Sequence, residues 1–405
     1  MKNRRLLCAA VTAFFIFTGI SGIAAEKAAD AAAPARFEEK GLALGESSIS
    51  YPVLKEGTVP EALREKINRQ ILEDGKITEY VTRISQLISG GSLRVQWRGQ
   101  VIGDIFSFAV SAEGAVETPR NTFVWTAGNI DLRDGHEVTL EALFTDPETA
   151  REKIETYLEE TVAPEMSAYL LNSQMIPIPE IFRIQERGLI LMYPIDQLST
   201  LSDRAGDVLI PWQVIRNELD PGEGGVPAAL HPGALHPGAW IRPLAELSAE
   251  EKEEAAEQIR QMTAEGAIPG IPARLGDSLA PLTEAWKMLT DPDVYALGRF
   301  FSLEGAEFRN VFLMTDYLSE GWENSRVDGI RVDLGSVCGL SIGETEQAAW
   351  RECLGEPEHT IEMDAETAEA YRTVPGSRDY YVFGGHRLQL HADGNGILTS
   401  VILTE

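Results

Sequence analysis

The sequence predicts an α+β fold: antiparallel sheets with packed helices, in two domains behind an N-terminal leader. Three observations carry that expectation. Leu93, Val95 and Trp97, then Phe106, Phe108 and Val110, alternate with the two-residue period of half-buried strands. Leu63, Ile67, Ile71 and Leu72 instead form the stripe of an amphipathic helix. Between the domains, Pro221-Gly222-Glu223-Gly224-Gly225 and a doubled Leu-His-Pro-Gly-Ala (230–234 and 235–239) interrupt both periods.

Lys2, Arg4 and Arg5 precede an apolar run from Leu6 to Ile23 that ends on Ala24-Ala25. This is the pattern of a secretory signal peptide over 1–25, with an uncleaved anchor as the alternative. Only residues 1–5 precede the run, so no folded cytoplasmic part is expected. Residues 26–47 read as an Ala-rich tether. The mature chain is therefore expected in the periplasm or outside the cell, with no membrane contact beyond the signal segment.

Loss of Lys2, Arg4 and Arg5 takes the formal charge from −28 to −31. Such a surface repels nucleic acid and anionic membranes and attracts cationic partners. Cys8 lies in the signal segment, which leaves Cys338 and Cys353. In an oxidising compartment they are expected to form one disulfide, whose loop of about 15 residues would contribute roughly 3 kcal/mol. The alternative is two buried thiols.

In the first domain, 48–220, Ile130 and Leu132 lead into Asp134-Gly135, a pair suited to a tight turn. Val138, Leu140, Leu143 and Phe144 then return to the core, and Thr145-Asp146-Pro147 marks a helix start. Phe182-Arg183-Ile184 and Leu189–Tyr193 read as a hairpin around Glu186-Arg187-Gly188, and Val208–Ile210 as a final strand. The segment 126–144 resembles that of the extracytoplasmic domains in RsiV-type anti-sigma factors and PdaC-type cell-wall proteins. Tyr51-Pro52, Lys66-Ile67-Asn68 and the strands between Ile181 and Ile215 are similar to the same family. The resemblance implies an extracytoplasmic scaffold. The chain departs from the pattern at Gly114-Ala115-Val116, where relatives often carry His, and in the polar stretch between Tyr193 and Gly206.

Residues 221–270 read as a linker followed by a charged helix at about 244–265. The last domain, 271–405, reads as a tandem helix–sheet module. Leu275-Gly276-Asp277-Ser278 with a helix through Trp286 is echoed by Ile342-Gly343-Glu344-Thr345 with a helix through Trp350. Each helix ends near a proline (Pro292, Pro357), and each unit closes on an alternating strand, 329–334 and 398–403. This pattern resembles BamE/SmpA-type modules and, in tandem, β-lactamase inhibitor proteins, which implies protein binding through a sheet face.

No catalytic constellation is legible. The chain lacks a G-x-x-x-x-G-K-[ST] loop, an H-E-x-x-H pair and a G-x-S-x-G elbow, and the Asp-Asp with His-x-x-x-His set of PdaC-type deacetylases is missing. Ser278 in Gly276–Ala280 reads as a helix cap, and His391–Gly396 as a hairpin turn, because Ile402 stands where a calcium loop needs Glu. His231 and His236 have no acidic or thiol company in sequence, so no metal and no cofactor are expected. His136 reads as a solvated turn residue. Trp97, Trp125, Trp286 and Trp350 read as core, whereas Trp322, in a polar turn, is the candidate contact residue. The expected function is a non-enzymatic exported binding protein of the cell envelope with a basic protein partner such as a lysozyme or cell-wall hydrolase. The alternatives are a carboxylate-dependent hydrolase of cell-wall glycan and a structural envelope protein.

Overall fold

The structure, a computed structural model, describes residues 36–86, 91–115, 122–166, 176–193, 206–220, 222, 224–231, 239–286, 293–295, 298–303, 305–315 and 325–405. The signal segment 1–25, Val116, the stretch 194–205, His236 and Trp322 lie outside them. The fold is α+β, with antiparallel sheets and packed helices.

The first sheet orders β1 (Phe37–Leu44), β2 (Ser47–Leu54), β3 (Ser92–Ile102), β4 (Ile105–Ala115), β5 (Thr122–Asp131) and β6 (His136–Glu137) in sequence. β2 and β3 are parallel, joined through α1 (Glu61–Asp74) and α2 (Ile77–Gln86), and the other neighbours are antiparallel. The expected stripe places Ile67 and Ile71 in a core with Phe106, Phe108 and Ile130. β1 corrects the tether reading of 26–47 from Phe37 onward, and residues 26–35 lie outside the described residues. Its Phe37 is buried and stacks on Phe106 at 3.8 Å, and the remaining side chains from Glu38 to Leu44 are largely exposed. An edge strand with a charged outer side chain row carries no apolar alternation to betray it.

Gly135 takes φ 73° in the turn before β6, as its Asp-Gly pairing requires. Asp146 then caps α3 (Pro147–Tyr157), accepting from the Thr149 amide at 3.1 Å, with Pro147 in the first turn. Ala150, Ile154, Leu158 and Val162 pack on a three-stranded sheet of β7 (Phe182–Gln185), β8 (Gly188–Tyr193) and β9 (Gly206–Pro211). β8 is buried on both faces. Ile190 and Met192 turn away from α3 toward Ala109 of β4 and Ala306 of the following domain.

The linker reading of 221–240 also needs correction in its described part, while 232–238 lie outside the described residues. Val226, Ala229 and Leu230 sit on a short helical turn, Val226–Leu230, and are buried with Trp240 and Ile241 against the three-stranded sheet. These buried apolar residues fasten the described part of the segment down. α4 (Ala249–Glu265) starts on a Ser248–Glu251 capping box and ends on left-handed Gly266.

The last domain is built from two units of one design. α5 (Leu279–Trp286) precedes β10 (Asp293–Tyr295), β11 (Gly298–Phe301), β12 (Val311–Thr315) and β13 (Gly329–Val332). After the small hairpin of β14 (Ser336–Val337) and β15 (Leu340–Ser341), α6 (Gln347–Leu354) precedes β16 (His359–Met363), α7 (Ala365–Ala370), β17 (Gly376–Phe383), β18 (His386–Asp393) and β19 (Leu398–Thr404). One eight-stranded sheet results, ordered β10-β11-β12-β13-β19-β18-β17-β16, with the last strands of the two units paired at its centre. The units agree down to single hydrogen bonds. Gly276 donates to the Val327 carbonyl at 2.8 Å and Gly343 to that of Leu398 at 2.7 Å, with φ of +83° and +86°. Leu279 donates to Ser325 and Gln347 to Gly396 in the same way. Leu313, Ile330, Leu388 and Leu403 line the inner sheet face under Ile259, Leu282 and Trp350.

Candidate binding cleft

Four pieces of chain meet at one place: β3 of the first sheet, the β7–β8 hairpin, the loop after α4 and the loop after β11. The hairpin is anchored by Asn129, from the family-like segment 126–144. Its side chain accepts from the Ser107 hydroxyl at 2.7 Å and the Ile184 amide at 2.9 Å, and donates to the Phe182 carbonyl at 3.0 Å. With the strands so held, Arg183 points into the junction and is 1% exposed.

Arg183 Nη2 contacts both oxygens of Glu307 at 3.1 and 3.2 Å. Arg98 joins the same carboxylate at 3.8 Å and Asp207 at 3.4 Å. Arg187 donates to the backbone carbonyls of Glu307, Arg309 and Leu334 at 3.0, 3.0 and 2.6 Å. The buried charges of Arg183 and Glu307 answer each other, and the Arg187 guanidinium is met by backbone carbonyls. Burial works to raise the Glu307 carboxyl, but Arg183 and Arg98 outweigh it and hold the group below its ordinary value. Asp207 is raised instead, by burial and by the charge of Glu307. Burial lowers Arg183 and takes Arg187 down to about 10.

Two cavities open beside this lattice and share Glu186 and the Gly270–Pro272 strip as a common wall. One, about 370 Å³, is lined by Gln100, Arg183, Gln185, Trp286 and Glu307 among others. Gln100 donates to Gln185, and Trp286 meets Phe308 edge-on at 5.1 Å. The larger, about 580 Å³, is lined by His231, Trp240, Gln258, Gln261, Glu265 and Asp277 among others. His231 lies 3.1 Å from Glu186 and 4.5 Å from the Trp240 ring. Both volumes fall in the ~300–1,000 Å³ range of small-molecule sites. Arg183 Nε and Trp240 Nε1 are buried and have no hydrogen-bond partner.

The residues singled out in the sequence are scattered. His136 is exposed beside Asp134 at 2.7 Å, as a solvated turn residue should be. Asp393 organises the turn after β18 by accepting from the Asn395 and Ile397 amides at 2.8 and 2.9 Å. Trp350 is fully buried, Trp97 is half-buried with its indole on Glu39 at 2.9 Å, and Trp286 is half-buried at the cleft. Trp125 lies in β5, with its side chain outside the described set. No group of three or more metal-ligating side chains occurs among the described residues.

The expected Cys338–Cys353 disulfide is not formed, and both cysteines are free. Cys338 Sγ lies 3.9 Å from Met262 Sδ, and the Cys353 thiol donates to the Lys252 carbonyl at 3.1 Å. Those two neighbours are about 15 Å apart along α4, at 1.5 Å per residue. A disulfide needs Cα atoms within roughly 7 Å. Sequence spacing brings the cysteines near one helix, at opposite ends of it. Burial pushes the thiols up to about 12 for Cys338 and about 11 for Cys353.

Sequence reasoning missed the cleft. The available signal was Arg183, a charge between Phe182 and Ile184; Trp240 and Gln258 gave none.

A scan against protein-family models and a search of curated proteins each return no match. Among solved structures, the chain is similar to a DUF3298-family protein from Bacteroides fragilis, at 11% identity and TM-score 0.36, over 46% of this chain and 94% of that one. It is similar in the same measure to a DUF3298-family protein from Pseudomonas aeruginosa PAO1, at 11% identity and TM-score 0.35, over 46% and 93%. A DUF4309-family protein from Bacillus subtilis is matched at 11% identity and TM-score 0.26, over 38% and 96%.

Proposed function

We propose that this chain is an exported, non-enzymatic binding protein of the cell envelope whose partner is a basic protein. The observation that carries the reading is where the charge resides. Among the described residues, the buried cations Arg183, Arg187, Arg331 and Arg378 are balanced by buried Asp131, Glu251, Glu307 and Asp379. Burial therefore absorbs none of the acidic excess, which is left to the surface. α4 presents Glu250, Glu253 and Glu257 outward, and Glu352 beside it is 66% exposed. Exported location rests on the leader pattern and on the RsiV/PdaC-like residues. The acidic helix α4 packs on the tandem unit, which resembles a BamE/SmpA-type module.

The test is binding of the mature chain to hen lysozyme, with a neutral protein as control, at low and high salt. Screening of exposed charge should weaken binding by about tenfold or more, and Glu250→Lys with Glu253→Lys should do the same at low salt. Affinity indifferent to both would sink the reading.

One observation favours the glycan-hydrolase alternative: Asp207 and Glu307 share Arg98 and are shifted in opposite directions, the pattern of an acid–base pair. Release of soluble fragments from purified peptidoglycan, lost in Asp207→Asn, would decide for it.

A further inference from the structure

We infer that the cleft between the β7–β8 hairpin and the loop after α4 is a saccharide-binding site. The inference goes beyond the protein-partner reading and stands if that reading fails. The two cavities lie on either side of Glu186 and Gly270–Pro272, and the walls of each mix polar and apolar groups.

The wall states what it needs. Trp240 is 7% exposed and Arg183 1%, and each keeps one N–H, Nε1 and Nε, without an acceptor. Buried donors are almost always satisfied in folded proteins, so orphans on two residues that line the cavities call for an acceptor. The same wall offers acceptors: the carboxylates of Glu186, Glu265 and Asp277 in the larger cavity, and the Gln100–Gln185 amide pair in the smaller.

Candidate ligand classes separate on this wall. An anion meets Arg274 in the larger cavity but three carboxylates, Glu186, Glu265 and Asp277, beside it. An apolar molecule leaves the carboxylates and both N–H groups dry and unmet. A simple ammonium meets the carboxylates but brings no acceptor for the two N–H groups. A peptide brings both kinds of group. However, the strip that would face its backbone is flanked by Pro269 and Pro272, which have no N–H to give. Neighbouring hydroxyls donate and accept at once, and a pyranose ring also has a C–H face for an aromatic side chain. Trp286, half-buried and set edge-on to Phe308, supplies that surface in the smaller cavity.

The experiment is calorimetric titration of the full mature chain with cellotriose, maltotriose and triacetylchitotriose, and with trialanine and trilysine. At least one trisaccharide should bind, with a Kd of about 1 mM or tighter. Trp240→Phe removes the N–H together with one ring of the indole, and with a thermal melt as the check on packing it should weaken that binding about 3- to 10-fold. Glu265→Gln, at an exposed position where folding is not at stake, should weaken it by a similar factor. Silence of all three trisaccharides overturns the inference. So does a tripeptide that binds while the sugars do not, or saccharide binding that both variants leave unchanged.

Discussion

Arg183 and Glu307 are 124 residues apart in the chain and 3.1 Å apart in space, both nearly free of solvent. The pair ties the β7–β8 hairpin to the C-terminal domain. Removing one partner strands the other charge in a dry junction, at a cost of roughly 3–5 kcal/mol. Glu307→Gln should therefore lower the urea midpoint far more than the double variant Arg183→Met with Glu307→Met, which leaves no charge behind at that point. Equal losses in both would mean that the pair is not insulated.

Asp74 makes stability depend on pH. Gln70 donates to one oxygen at 2.7 Å, while the other is buried without a partner. Burial, aided by Glu137 and Glu73, pushes the carboxyl up from 3.8 to about 7. A raised native pKa means that the folded state holds the proton more tightly. Its contribution is thus fully present below about 3.8 and lost as pH rises through about 7. Asp74→Asn should raise the Tm at pH 8, by about 2–4 °C per kcal/mol relieved, and change little at pH 4. Thermal melts at the two pH values check the sign.

The duplicated turn makes a paired prediction. Gly343 has nothing within 4 Å of where a Cβ would stand, and Gly276 meets only the Glu405 side chain at 3.8 Å. Alanine at either position pays for positive φ alone, about 1–2 kcal/mol. Urea midpoints of Gly276→Ala and Gly343→Ala should fall together; a fall in only one would break the equivalence of the units.

Two free thiols have a chemical signature. Mature protein unfolded in guanidinium without reductant should take up two alkyl groups from iodoacetamide, by mass spectrometry. The folded protein should react slowly, since burial keeps both groups protonated.

The α+β class, the α1 stripe, the Asp146 cap and the Gly135 turn were legible because each is local: a period or a cap is written in neighbouring residues. The parallel β2–β3 pair was not, since nothing in Ser48-Ile49 names Arg94-Val95 as its partner. β1 hid because an edge strand needs only Phe37 to be apolar. The cleft was hidden for a different reason. Its walls come from β3, the β7–β8 hairpin and the loops around Gly270 and Glu307, and no stretch of sequence holds two of them. The cysteines show the converse error, where nearness in sequence stood in for nearness in space.

The pairing of β13 with β19 has a temporal consequence. Residues 398–404 fill the middle of the eight-stranded sheet, between β13, made much earlier, and β18, made just before. During synthesis, β10–β13 and β16–β18 each leave the ribosome with a bare edge, and neither can close on the other until those seven residues follow. A nascent chain stalled before residue 398 should therefore be the aggregation-prone, chaperone-dependent form of this protein.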